Sequence, residues 1–161
     1  MFSVISAAAD GSAPILIRGE TGAGKQLAAR AVHLCSVRRE APFVAVSCAL
    51  MTDGVFEPAR GGTLLLDELA DLPAVEQARL LNAIQTGEAG SVRAAAVRVV
   101  ASTRIDLRAR AEQGAFREDL FYRLNVLPIG VTALRDRGED AQLLADHILS
   151  RHSAEGQRQP R

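Results

Sequence analysis

Two short stretches of the chain carry residue types whose spacing suits chemistry. The first is Gly19-Glu20-Thr21-Gly22-Ala23-Gly24-Lys25, with the spacing G-x-x-x-x-G-K. Glycines let backbone N–H groups curl around phosphate oxygens without side chains intruding. A helix opening at Gly24 adds partial positive charge there, and a lysine reaches β- and γ-phosphates. Gln26 follows, where this motif ordinarily supplies a Ser or Thr hydroxyl to Mg²⁺. The second stretch is Thr63-Leu64-Leu65-Leu66-Asp67-Glu68, an apolar run ending in paired acids. At the end of a strand, Asp67 can hold Mg²⁺ directly or through water, while Glu68 orients and deprotonates an attacking water. Each stretch alone has a plainer reading, as a glycine-rich turn or as acids favoured at a helix start. Together, and in this order, they predict a nucleotide-binding site with Mg²⁺ beside it. Lys25 is the only lysine in the chain, and its compact ammonium sits where a phosphate is best met by a point charge.

The elements that must position these residues follow from periodicity. An apolar, alanine-rich helix is expected over residues 3–9, and Ile15 to Arg18 reads as a strand buried on both faces. After the glycine-rich loop, Leu27, Ala28, Ala31, Val32 and Cys35 form one helical stripe, with His33 off it and expected in solvent. Pro42 to Val46 reads as a second strand, and Val97 to Thr103 as another. The latter would bring Ser102 and Thr103 near the phosphates if it neighbours the Asp67 strand. Between them, Val75, Ala78, Leu81 and Ile84 predict a helix that starts after Pro73 and stops near Gly87. Gly114 to Arg123 reads as a helix, Val126 to Ile129 as a last strand, and Ala141, Leu144, Ala145, Ile148 and Leu149 as a closing amphipathic helix. Strands alternating with helices predict a doubly wound α/β architecture, a three-layer P-loop NTPase core. One domain is expected over residues 1–152, with a disordered tail over 153–161.

Bulk properties narrow the class. The chain of 161 residues is 48% apolar and 24% charged, with zero formal net charge, so no general attraction to nucleic acid or anionic membrane is implied. Its apolar runs are far too short for a bilayer, and its first residues lack the basic region of a secretory signal. Cys35 and Cys48 have no metal-ligand spacing around them and are expected to be reduced packing residues of a cytoplasmic protein. A Cys35–Cys48 disulfide remains open at this stage.

Several stretches together resemble one family. The glycine-rich loop, Gly61-Gly62-Thr63 to Leu69, and Phe116-Arg117-Glu118-Asp119-Leu120-Phe121-Tyr122-Arg123-Leu124-Asn125 occur in the order found in the AAA+ ATPase domain of NtrC-like, sigma-54-dependent transcriptional activators. Pro42 to Ala49 and Leu134 to Asp140 fit as well. The resemblance implies ATP held by Gly19, Glu20, Thr21, Gly22, Ala23, Gly24, Lys25, Gln26 and Thr103, with Mg²⁺ at Asp67 and water activation by Glu68. It implies a ring of like or related subunits in which Arg117 and Arg123 are arginine fingers offered to the neighbour's site. It also implies sigma-54 RNA polymerase as the partner.

The sequence departs from the pattern at four places. The long insertion with the GAFTGA loop is replaced by Leu50 to Arg60, so direct sigma-54 contact is not expected. Ser47 stands where the family has an asparagine that pairs with the Walker B glutamate, and Arg104 stands for the sensor asparagine. Neither a helical lid nor a DNA-binding motif is present in this sequence. Three readings stay open: an ATP-binding domain whose hydrolysis is weak or lost, a non-catalytic module that binds nucleotide and related subunits, and an unrelated P-loop kinase of a small metabolite.

Overall fold

The computed structural model of the chain describes residues 5, 8–9, 11–52, 54–86, 97–138, 140, 142–146 and 149–150. It divides into two compact units, Met1–Val131 and Thr132–Arg161. In the first unit, five parallel strands form one sheet: β1 (Ile15–Arg18), β2 (Phe43–Ser47), β3 (Thr63–Asp67), β4 (Arg98–Thr103) and β5 (Leu127–Gly130). Their spatial order is β2-β3-β4-β1-β5. The helices are α1 (Lys25–Leu34), α2 (Ala74–Thr86), α3 (Leu107–Glu112) and α4 (Glu118–Leu124).

Alternation along the strands divides the core between the two faces of the sheet. Ile15, Ile17, Leu65, Val100 and Ile129 pack with Ala28, Ala29 and Val32 of α1. Leu16, Leu64, Leu66, Val99 and Ala101 pack with Leu80 and Leu81 of α2, Leu107 of α3, and Leu120, Phe121 and Leu124 of α4. The central strands therefore have both faces covered and read as continuous apolar runs, whereas β2, on the edge, is half exposed. This is the three-layer α/β architecture expected.

Two helices are rotated from the stripes their apolar residues suggest. In α1, Leu27 is 70% exposed and Cys35 is exposed, while His33 is only 3% exposed. Lys25 fixes the rotation: it is buried in the first turn, so the inward face runs through Ala28, Ala29, Val32 and His33, at three, four, seven and eight residues on. His33 is not solvated. Its Nδ1 lies 2.9 Å from the Thr63 hydroxyl and its ring packs on Phe43. In α2, Val75 and Ala78 are exposed and Gln77 faces inward. The Gln77 amide donates to the Leu72 carbonyl at 2.9 Å and accepts the Arg117 N–H at 2.9 Å, so a polar residue holds a place on the buried face.

The stretch from Gly114 to Arg123 is not one helix. The preceding residues form α3, which Asp106 caps by accepting from the N–H groups of Arg108 and Ala109. Gly114, with φ of 71°, turns the chain, and α4 begins only at Glu118 with Arg117 as the residue before it. Arg98, isolated in an apolar strand, is buried and donates to the carbonyls of Ala8 and Ala9, tying those helical residues to the sheet. In the second unit, Leu134–Asp136 form a short 3₁₀ turn and residues 142–146 and 149–150 are helical. Leu144 and Leu149, expected on an apolar face, are exposed, while Ala141, Ile148 and the tail over 153–161 lie outside the described residues.

Burial holds the His33 ring below its ordinary titration range, and the Arg30 charge pushes the same way, against opposing hydrogen bonds to the backbone at Arg39 and Ala41. As pH falls below the unfolded value near 6.5, the unfolded chain takes up a proton that the folded chain resists, and stability declines. The slope from this one group is at most about 1.4 kcal/mol per pH unit. Melting curves between pH 8 and pH 5 should therefore fall less steeply for His33→Gln than for the native chain; parallel curves would refute the assignment.

Candidate functional site

The site is built where parallel strands end together. Arg18 pairs in register with Thr103, and Leu66 with Ala101, which places Asp67 beside Ser102 at one edge of the sheet. In open parallel sheets this edge, outside the carboxyl ends of the strands, is where ligands are bound. The loop from Gly19 to Gly24 rises from β1, and its first N–H donates to the Thr103 carbonyl at 3.1 Å. Gly22 and Gly24 have φ of 80° and 94°, values a side chain at either position would strain. Gly24 immediately precedes α1, so the loop delivers the chain directly into a helix N-terminus.

Lys25 is 6% exposed, and its Nζ lies 2.9 Å from Glu68 Oε1 while donating to the Glu20 carbonyl at 3.2 Å. Gln26 Nε2 donates to Asp67 Oδ2 at 2.7 Å, and the Ser102 hydroxyl donates to Asp67 Oδ1. Ser102 Oγ in turn accepts the Glu68 N–H at 3.3 Å. Glu68 is the only non-glycine residue with positive φ among the described residues, at φ 53° and ψ 60°. Such a conformation costs of order 1 kcal/mol and persists where surroundings enforce it. Here the enforcing contacts are Ser102 on the backbone and Lys25 on the carboxylate. A cavity of about 350 Å³ opens between the loop and the acids, lined by Thr21, Gly22, Gly24, Lys25, Gln26, Leu27, Asp67 and Glu68. It places exposed backbone of a helix start, one ammonium and two carboxylates around a volume that suits a small polyanion.

Other residues singled out from the sequence lie differently. Ala23 is buried beneath the loop, and its N–H closes a turn on the Glu20 carbonyl at 3.1 Å. Thr103 is fully buried, and its hydroxyl exchanges hydrogen bonds with the N–H and carbonyl of Ile105. Ser47 pairs in register with Asp67 and is exposed, whereas the Glu68 carboxylate is met by Lys25 and by Arg104. Arg117 and Arg123 are exposed, and neither lines the cavity. The Arg117 guanidinium pairs with Asp119 at 2.7 Å and 3.0 Å.

Three contacts had little signal in the sequence. Ser102 binds the acids instead of facing the cavity, and Arg104 approaches Glu68. Arg18 donates to Asn125 Oδ1 at 3.1 Å and lies 5.9 Å from the centre of the Phe121 ring, tying the base of the loop to α4. Asn125 closes the stretch from Phe116, and that position was the one available hint.

A five-stranded parallel sheet with a phosphate loop after β1 and paired acids after β3 defines a P-loop domain of the AAA+ class. The Sigma-54 interaction domain model matches residues 1–53 and 50–130, and the chain belongs to that family. The regulatory protein AtoC of Escherichia coli K12 is 41% identical over 174 residues, covering 91% of this chain and 38% of AtoC. The transcriptional regulator NtrC of Azospirillum brasilense is 43% identical over 170 residues, covering 88% and 35%. NtrX from Brucella abortus, solved in complex with ATP, superposes with a TM-score of 0.88 at 34% identity over 99% of this chain and 40% of its own. The chain spans about two fifths of these relatives or less. The AtoC alignment runs over 174 residues, more than the 161 of this chain, so the relative carries segments this chain lacks. The two family-model matches meet at residues 50–53, where the sequence is short.

The cysteines are both free, which removes the disulfide. Cys35 is exposed, contrary to its expected packing role, because it lies off the inward face of α1. Cys48 is fully buried, and burial, then the charges of Asp67, Asp71 and Glu68, push its thiol up to about 12. A neutral-pH thiol reagent should label one cysteine per folded chain rapidly and the second only on denaturation; loss of the fast phase in Cys35→Ser would identify it. Fast labelling of Cys48 would contradict this packing.

Proposed function

We propose that this chain is the ATP-binding AAA+ domain of a bacterial sigma-54-type transcriptional regulator, slow or inactive in hydrolysis and without direct sigma-54 contact. The observation that carries the reading is the convergence of Lys25, Asp67 and Glu68 on one cavity at the mouth of a glycine-rich loop. Backbone N–H groups at the start of α1 would bind phosphate oxygens, and Lys25 would donate to the β- and γ-phosphates. NtrX, of the same fold and family, was solved with ATP, which supports the ligand.

The residues fit a hard divalent cation. Asp67 stands at the strand end with each carboxylate oxygen accepting one hydrogen bond, which leaves a lone pair on each. No cluster of three or more His, Cys, Asp or Glu is found among the described residues, and Mg²⁺ bound through one carboxylate and substrate phosphates needs none. When bound, Mg²⁺ neutralises charge on the β- and γ-oxygens. Glu68 would orient the attacking water, and Arg117 and Arg123, exposed and away from their own cavity, would serve a neighbouring subunit in a ring.

Slow turnover follows from what surrounds Glu68. Its carboxylate is engaged by two cationic residues, Lys25 and Arg104, and Ser47 is not its partner. The same observation favours the second reading, a non-catalytic module that binds nucleotide and tunes related subunits. Family membership removes the third, an unrelated metabolite kinase. A cytoplasmic location is part of this proposal; no helix among the described residues is long and apolar enough to cross a membrane.

Titration with a fluorescent ATP analogue should show binding that weakens about 10- to 100-fold in Lys25→Ala, the loss expected for a charge-assisted contact. Turnover should lie below the usual enzyme range of about 1 s⁻¹ and upward. Hydrolysis that disappears in both Lys25→Ala and Glu68→Gln would exclude the purely regulatory reading; binding indifferent to Lys25 would refute the site. In transcription in vitro from a sigma-54 promoter, this chain should form no open complexes. Robust activation would show that Leu50 to Arg60 replaces the missing contact loop.

A further inference from the structure

We infer that Arg104 is a positioning residue for Glu68, holding its carboxylate in place when phosphate competes for Lys25. The inference rests on the nucleotide-binding reading and goes beyond it, to what Arg104 does for Glu68 once a phosphate is bound.

Glu68 is held at both oxygens. Oε1 faces Lys25 Nζ at 2.9 Å, and Oε2 accepts the Arg104 backbone N–H at 3.3 Å with the guanidinium Nε 3.7 Å away. Lys25 and Glu68 are mostly buried, at 6% and 24% side-chain exposure, while Arg104 is half exposed. The charges balance, with the one buried ammonium facing the nearest carboxylate.

A polyphosphate changes that balance. It places negative oxygens beside Lys25, whose charge it then shares, and leaves Glu68 facing phosphate with like charge. A carboxylate in this position can swing toward solvent or be retained by another cation. The backbone of Glu68 sits in the left-handed region, a conformation that persists only where its surroundings enforce it. Arg104 supplies that support from the opposite side. Its guanidinium sits outside the cavity lining, so it can hold Oε2 without occupying the space a phosphate would take.

The sequence offers no other residue for the task. Ser47 is aligned with Asp67, one residue short of Glu68, and its side chain is brief. Ser102 is committed to the Asp67 carboxylate and the Glu68 N–H. Gln26 is committed to Asp67. Among the described residues near the acids, Arg104 alone adds a positive charge from beyond the loop.

The test is a double-mutant cycle read by ADP affinity in the presence of Mg²⁺, so that turnover does not enter. Arg104→Ala should weaken ADP binding roughly two- to five-fold, the range of a half-exposed ion pair. In a Glu68→Gln background, which removes the charge to be held, Arg104→Ala should change affinity by less than about 1.5-fold. Arg104→Lys, which keeps the charge and the backbone N–H, should stay within about twofold of the native chain. Circular-dichroism melts confirm that each variant is folded. Equal losses in both backgrounds would mean that Arg104 touches the nucleotide itself, and the inference would fail. It would fail equally if Arg104→Ala left the affinity of the native chain unchanged. A native chain that binds ADP no better than Lys25→Ala would overturn the nucleotide site as a whole.

Discussion

Parallel pairing of β1 with β4, and of β4 with β3, is the constraint on which the rest of the molecule depends. Because these strands run the same way in a fixed register, their last residues share one edge of the sheet. The glycine-rich loop, the paired acids and Ser102 arrive there without any long connection having to bring them together. A one-residue slip of β3 would turn Asp67 toward the opposite face and separate it from Ser102 and Gln26. Asp67 itself guards against that slip, since a shift that drew it inward would bury a carboxylate in the enclosed layer now held by Leu64, Leu65 and Leu66. The apolar core is thus what keeps the polar edge in alignment.

Much of this arrangement was legible in the sequence. Continuous apolar runs marked β1, β3 and β4, and the glycine spacing marked the loop, because both signals are local and strong. What the sequence concealed were the rotations of α1 and α2. Apolar periodicity in an alanine-rich helix is shallow, and in each case a polar residue decided the inward face. Lys25 did so by reaching Glu68, and Gln77 by satisfying a carbonyl and an N–H inside the core. His33 followed Lys25 inward because it stands eight residues further along the same face. The break at Gly114 was hidden by flanking residues that would each accept a helix.

The site shows the same division. Asp67, Glu68 and Lys25 could be placed together from motif and order alone. The contacts made by Ser102 and Arg104 could not, because they depend on the turn after β3 and on neighbouring strand ends brought together across 34 and 36 residues. Thr103 and Ser102 also divide their work in a way spacing does not reveal. The buried hydroxyl of Thr103 serves its own turn, and that of Ser102 serves the acids.

The hydrogen bond from the Arg117 N–H to the buried Gln77 amide separates two things a single arginine must provide. It pins the base of the residue to the core at 2.9 Å, while the guanidinium stays at the surface in an ion pair with Asp119. An exposed pair of that kind is easily exchanged, since water screens what it gains. Arg117 is therefore an arm on a fixed pivot. Exchanging Asp119 for another anion would need only side-chain torsions and would cost little backbone order.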